Sequence, residues 1–342
     1  MKILQMRATA AVVLSAVVLA GCTADRVDGN GSVPGGSRTT SARPTPVAST
    51  SAASTSASPQ KTAVSVHVSV NISDGATVGV GMPYIAIFNQ TITDARAFQD
   101  ATKVTVNGAE VDARWYFEYA DASSGHPMEA HLRMEHYWPA NARIHVDLPV
   151  KGHTGGAVAH HPNSVYTFDN SLTSDFATGD AHRVVVSNAQ HQLTVYNNGS
   201  VWKTFPVSLG ATKTQTRRGI KVVMEKLPTV CMHDIAGNYH ECGIKDDQRL
   251  TYDGEYLHAA PWNCVSAPGC TGPYNNIGSA NSSNGCTNLR PADAKTLYDF
   301  LGIGDPVEFP DADGKRMQLG DGYGDWNVTW SLWQTGGAIK TS

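Results

Sequence analysis

Apolar and polar positions alternate in short runs from about residue 63 onward, with few signs of helix. AVSVHVSVNIS changes character residue by residue, the period of a half-buried strand, and DGATVGVG follows with turn residues. KVTVNGAEVDARWYFEYA carries Asn107-Gly108 between two such runs. That dipeptide tolerates positive φ at both positions and therefore closes two-residue hairpins. ARIHVDLPV and SVYTFDNSL continue the pattern. HRVVVSNAQHQLTVYNNGSVWKTFPVSLG predicts three more strands, the second hairpin closing at Asn198-Gly199. VSLGA and GIKVVME read as strands, residues 227 to 250 as a loop-rich section, and EYLHAAPW as a buried strand ending at Pro261. PADAKTLYDFLG alone has convincing helical spacing. Pro291 suits its first turn, Ala294, Leu297 and Leu301 share a face, and Gly302 serves as its stop. DPVEF then returns as a strand.

These elements predict a mainly β chain. Residues 63–175 form an immunoglobulin-like β-sandwich, without the cysteine pair of antibody domains. Residues 176–342 form a second β domain with one embedded helix and a C-terminal tail. Trp326, Trp330 and Trp333 in that tail have the spacing of a packed seam between the two domains rather than of a carbohydrate-binding surface.

The first 62 residues have a different character. Lys2 and Arg7 precede the apolar run ATAAVVLSAVVLA, and LAGC closes it at Cys22. A basic start, a short apolar core and small residues mark 1–21 as a secretory signal peptide. A spanning helix needs roughly 20 apolar residues. The LAGC sequence resembles a bacterial lipobox, which implies a lipid on Cys22 and a plasma-membrane anchor on the outer face. Residues 22–62 are rich in Ser, Thr, Pro, Ala and Gly and predict a disordered tether. Loss of residues 1–21 removes two cations and no acid, so the formal charge falls further below its value of −4. An acidic exported product argues against nucleic acid as a partner.

Cysteine usage sharpens the picture. With Cys22 lipidated, Cys231, Cys242, Cys264, Cys270 and Cys286 remain, an odd number for an oxidising compartment. Local pairing of Cys231 with Cys242 and of Cys264 with Cys270 is the simplest of three connectivities. A zinc site at Cys231-x-His233 and His240-x-Cys242 is the competing reading of the first couple. Either way Cys286 is left free, in the stretch SSNGCTN. A thiol attacks carbonyls only as thiolate, so a catalytic cysteine needs a base. Among thirteen histidines, His258 stands out because the apolar run EYL would hold its ring on a fixed scaffold.

YLHAAPW, SSNGCTN, PADAKTLYDFLGIGDPVEF and the tail GYGDWNVTWSLW together resemble the L,D-transpeptidase (YkuD) family, of the actinobacterial lipoprotein type with an immunoglobulin-like domain in front. The resemblance implies a cell-envelope enzyme with no cofactor and no metal. Its substrates would be peptidoglycan tetrapeptide stems, and carbapenems would acylate its cysteine. By this resemblance Cys286 is the nucleophile and His258 the general base and acid, oriented by the backbone carbonyl of Ala259. Gly285, Cys286 and Asn284 form the oxyanion region. Asn288 contacts substrate, Asp253 and Gly254 line the donor groove, and Met232 and Tyr239 belong to a substrate-covering lid at 227–250. A second stem's side-chain amine takes the acyl group, making a 3→3 cross-link.

Two features depart from the family. Asn284 stands where histidine is usual, and His258 lies further than usual from Ser283, the excess falling around Cys264 and Cys270. The first departure is the sole support for an alternative: a cell-wall-binding lipoprotein with an inactive transpeptidase fold.

Overall fold

The computed structural model describes residues 61–342 apart from 121–123, 234–239, 266–271, 340 and 342. The expected signal peptide, Cys22, the tether as far as residue 60, Tyr239 and Cys270 lie outside the described residues, and the tether's last expected residue, Thr62, begins a strand. In chain order the first part contains β1 (Thr62–Val66), β2 (Val68–Val70), β3 (Thr77–Val78), β4 (Tyr84–Phe88), α1 (Arg96–Ala101), β5 (Lys103–Val106), β6 (Ala109–Glu110), β7 (Arg114–Tyr119), β8 (Met128–Arg133), β9 (Arg143–Leu148), β10 (Thr154–Ala157), β11 (Ser164–Phe168) and β12 (Leu172–Thr178). The second contains β13 (His182–Ser187), β14 (Gln192–Asn197), β15 (Ser200–Pro206), β16 (Gly219–Val222), β17 (Glu225–His233), β18 (His240–Arg249), β19 (Tyr256–Ala259), β20 (Thr287–Leu289), α2 (Pro291–Phe300), β21 (Pro306–Phe309) and α3 (Trp330–Trp333).

Alternation builds the first part. In β7 the side chains of Trp115 and Phe117 are buried while Arg114 and Tyr119 face solvent, and β9 buries Ile144, Val146 and Leu148 in the same way. Sheets β2-β4-β8-β7 and β3-β12-β9-β5-β6, with the small sheet β1-β11-β10, enclose one core. Tyr84 of β4 joins Ser174 of β12 across it, hydroxyl to hydroxyl at 2.7 Å. The predicted sandwich is therefore present, with an addition. The short α1 drives Phe98 into the core, 5.0 Å from the Trp115 ring and 5.2 Å from Phe88. Full burial of such a ring is worth about 1.5–3 kcal/mol, which outweighs the weak helical signal around it.

The second part places β15-β14-β13-β21-β16 and β17-β18-β19-β20 around a second core, with α2 contributing Ala294 and Leu297. Both predicted hairpin turns are left-handed pairs: φ is +52° and +83° at Asn107-Gly108 and +48° and +83° at Asn198-Gly199. Three expectations are corrected. Within the section 227–250, β17 and β18 pair as antiparallel strands rather than loop; the exposed run His240–Gly243 masks the strand. VSLGA makes isolated bridges at Ser208 and Gly210 instead of a strand. Helix α2 ends at Phe300 without a glycine cap, because Leu301 turns to extended backbone while its side chain stays buried.

Cys231 and Cys242 are cross-strand partners in β17–β18 and form a disulfide, which replaces the zinc reading. Cys264 is also disulfide-bonded. No helix among the described residues is long and apolar enough to cross a membrane.

The tail ties the two parts together. Trp326 donates to the Gly81 carbonyl and Trp333 to that of Arg114. Arg133, 2% exposed, lies 4.9, 5.4 and 4.2 Å from the rings of Trp326, Trp330 and Trp333 and donates to the Val328 carbonyl. The tryptophan spacing thus marks a seam, though it spans a 3-10 turn and α3 rather than one helix. A desolvated cation over aromatic faces is worth about 2 kcal/mol or more. Arg133→Ala is expected to lose at least that much stability in chemical denaturation, since it also leaves the Val328 carbonyl without its donor.

Candidate active site

Strand β19 is buried along its whole length, paired antiparallel with β18 and parallel with β20. His258 faces Asn288 in that register, and Leu257 faces Thr287. Alternation then sends Leu257, Ala259 and Leu289 into the second core and Tyr256, His258, Cys286 and Asn288 to the opposite face. Cys286 sits there packed with Met232, Ile244 and Tyr256. Two residues distant in sequence meet because neighbouring parallel strands carry them on the same side.

Cys286 is the free cysteine among the described residues and is 7% exposed. Its Sγ lies 3.5 Å from the Gly254 carbonyl as a donor. Burial pushes the thiol up to about 12, against a backbone hydrogen bond from Tyr256. His258 is 3% exposed. Its Nδ1 lies 2.9 Å from the Ala259 carbonyl, which can only accept; the proton therefore resides on Nδ1 and Nε2 keeps its lone pair. Burial lowers this ring to about 4, the Ala259 carbonyl acting in the other direction. Trp262 covers the ring at 5.7 Å. At neutral pH the two groups are thus thiol and neutral imidazole, not an ion pair.

The loop before Cys286 is held from both sides. Ser283 Oγ donates to the Cys286 carbonyl at 2.5 Å and accepts from the Gly285 N–H at 3.1 Å. Thr216 Oγ1 donates to the Gly285 carbonyl at 2.9 Å. Gly285 has φ of +115°, and a Cβ there would find nothing nearer than 3.7 Å. Glycine is needed for its backbone conformation, not for space. Since its N–H already serves Ser283, that donor must be released before it can join an oxyanion hole.

The remaining expected residues divide. Asn288 is 3% exposed and its Oδ1 accepts no hydrogen bond among the described residues, while its backbone pairs with Ser208. It is a buried strand residue, with an amide carbonyl available to an incoming N–H. Asn284 is exposed at the rim. Asp253 turns its carboxylate to Arg217, leaving the backbone of Gly254 to reach the thiol. Met232 touches the Cys286 cluster. Tyr239 lies outside the described residues.

Sequence reasoning missed three charged residues. Lys221 is wholly buried and pairs with Glu255, which also accepts the Arg217 N–H at 2.8 Å. Burial pushes Glu255 up and Lys221 down, and their ion pair opposes both shifts. Glu255 lies beneath Gly285, and both charges act on Cys286. Asp247 is fully buried with neither carboxylate oxygen bonded among the described residues, and burial raises it to about 7. For Lys221 and Glu255 a charge inside the apolar runs GIKVV and EYL was the available signal; Asp247, in the polar run KDDQR, had none.

The L,D-transpeptidase catalytic-domain family matches residues 181–309, and the bacterial Ig domain family matches residues 37–154. L,D-transpeptidase 1 of Mycobacterium tuberculosis strain H37Rv is 31% identical over 247 residues, covering 70% of this chain and 83% of that protein. The chain belongs to the L,D-transpeptidase family. L,D-transpeptidase 2 of M. tuberculosis strain CDC 1551 is 30% identical over 272 residues, which are 78% of this chain. The match spans only 60% of that relative's length. A solved L,D-transpeptidase in complex with imipenem superposes with a TM-score of 0.53 at 30% identity, covering 70% of this chain and 97% of the other. The buried cysteine, just before β20, and the buried histidine, on β19, both lie inside the matched catalytic segment.

The buried neutral histidine has a consequence for stability. Unfolded histidine titrates near 6.5, so between that pH and about 4 the unfolded chain binds a proton that folded His258 refuses. Stability is therefore unaffected by this group above pH 6.5 and falls as pH drops through the window, by about 3 kcal/mol in all. Denaturation midpoints of wild type and His258→Asn, measured from pH 7 to 4, should diverge in that sense, with the variant the less acid-sensitive.

Proposed function

We propose that this chain forms 3→3 cross-links in peptidoglycan through a cysteine acyl-enzyme on tetrapeptide stems. The observation that carries this reading is the free, buried Cys286 on the same sheet face as His258, whose basic Nε2 is fixed by the Ala259 carbonyl. Cys286 Sγ attacks the carbonyl between the diamino acid's L-centre and the terminal D-Ala. Its proton passes to His258 Nε2, a thioester forms, and the imidazolium returns that proton to the departing D-Ala amine. A second stem's amine then attacks the thioester, the imidazole accepts its proton, and the thiol is restored. Because both groups are neutral at rest, thiolate is generated only as attack proceeds. The thiol must first turn from the Gly254 carbonyl toward His258.

Asn288 Oδ1 would accept an N–H of the donor stem, and Met232 and Gly254 would border the reacting carbonyl. Cys22 would carry a lipid that holds the enzyme at the outer face of the plasma membrane, with the sandwich as a spacer. The inactive-fold alternative gains nothing from Asn284, which is exposed while the reacting pair is buried. Incubation with purified disaccharide-tetrapeptide and mass analysis tests the reading. A dimer lighter than two stems by one D-Ala and linked between two diamino acids is expected. Free tripeptide alone would mean hydrolysis, and unchanged substrate would overturn the reading.

A further inference from the structure

Far from Cys286 in sequence, the sandwich carries a cluster that the transpeptidase reaction does not use. Glu118 on β7 and Glu129 on β8 are cross-strand partners, and His131 follows two residues along β8 on the same face. His131 is 1% exposed, yet its Nε2 makes no hydrogen bond among the described residues. That nitrogen lies 3.3 Å from Glu118 Oε1 and 3.4 Å from Glu129 Oε1. The three atoms are all within 4.8 Å of one another.

We propose that Glu118, Glu129 and His131 bind a divalent transition-metal ion, Zn²⁺ first among them. Bonds of about 2.0–2.2 Å in tetrahedral geometry set ligand atoms about 3.3–3.6 Å apart, which is the separation found around Nε2. One imidazole nitrogen with two carboxylate oxygens suits Zn²⁺ and its neighbours better than Mg²⁺ or Ca²⁺, which prefer all-oxygen shells. The supporting groups are in place as well. His131 Nδ1 is 2.8 Å from Asp325 Oδ1, and Asp325 is wholly buried. This is the carboxylate–histidine arrangement that fixes a metal-binding tautomer. His126 Nε2, 3.2 Å from Glu129 Oε2, holds the other carboxylate oxygen. The side chains of Glu118 and Glu129 remain 19% and 18% exposed, so an ion can reach them from solvent.

Without an ion the cluster gathers three carboxylates around one imidazole. A divalent cation relieves that excess of negative charge. It also ties the sandwich to the tail through Asp325, close to Tyr252, on which these same carboxylates act. Tyr252 belongs to the loop whose Gly254 carbonyl meets the thiol. The site would persist whether or not Cys286 performs the reaction proposed above.

The test is Zn²⁺ titration of the tag-free, disulfide-intact protein by calorimetry, with Co²⁺ as a spectroscopic probe. One ion per chain and an intense visible band of tetrahedral Co²⁺ are expected. Glu118→Gln and Glu129→Gln, each checked for folding by circular dichroism, should abolish the band. Asp325→Asn should weaken binding about 10- to 100-fold, and His240→Ala, beside the Cys231–Cys242 disulfide, should change nothing. No uptake by the wild type would show a cluster that shares protons instead of holding metal. Uptake that survives both glutamine variants, or that disappears with His240→Ala, would also overturn the proposal.

Discussion

A single covalent carbapenem adduct is expected on the wild-type protein, absent from Cys286→Ala and formed about 10²- to 10⁴-fold more slowly by His258→Ala, the range of a lost general base. Intact-protein mass spectrometry at timed intervals reads all three. The solved relative in complex with imipenem makes that compound the natural probe. The histidine effect should be large because His258 Nε2 is an unprotonated base held on the same sheet face as the sulfur. Burial has raised the thiol to about 12, and the groups that act on it electrostatically are opposed in sign, Glu255 and Asp247 against Lys221. For the same reason alkylation by iodoacetamide, which brings no hydrogen bonds to the site, should be slow at pH 7 and climb steadily with pH. Rapid alkylation at neutral pH in the wild type would mean a resting thiolate and would overturn the neutral-pair account.

Breaking the Lys221–Glu255 pair should have the largest effect on stability. Removing one member of a buried ion pair leaves the other charge uncompensated and costs about 3–5 kcal/mol. Lys221→Met strands the Glu255 carboxylate beneath Gly285; Glu255→Gln strands an ammonium with no exposed surface at all. The double variant Lys221→Met/Glu255→Gln removes both charges and keeps an oxygen for the Arg217 N–H. It should recover most of the loss, since apolar replacement of a whole buried pair is often neutral. Denaturant titrations of the four proteins form a double-mutant cycle. Additive single effects would show that the pair is not coupled.

The reach of the sequence differs between the fold and the site. Strands with period two, the two Asn-Gly turns and the one strong helix were legible because each depends on residues adjacent in the chain. The β17–β18 pairing was not, since the exposed run from His240 to Gly243 looks like loop when the positions it covers are unknown. The helix stop at Phe300 was likewise set by where Leu301 had to be buried, not by the glycine after it.

The roles of Cys286 and His258 as nucleophile and base came from the family resemblance; the residues alone showed a cysteine, Cys286, left over once Cys22 is set aside, and one histidine, His258, embedded in an apolar strand. Local spacing carried that much. What it could not carry was their relation: the parallel pairing of β19 with β20, which puts both side chains on one face, and the burial that keeps them neutral. The same holds for Lys221 and Glu255, 34 residues apart, and for Glu118, Glu129, His131 and Asp325, gathered from two strands and the tail. Chain-local physics determined which segments are strands and which residues have the chemistry to react. Long-range pairing and loss of solvent decided which of those residues meet and in what charge state, because pKa and reach are properties of the surroundings that tertiary structure supplies.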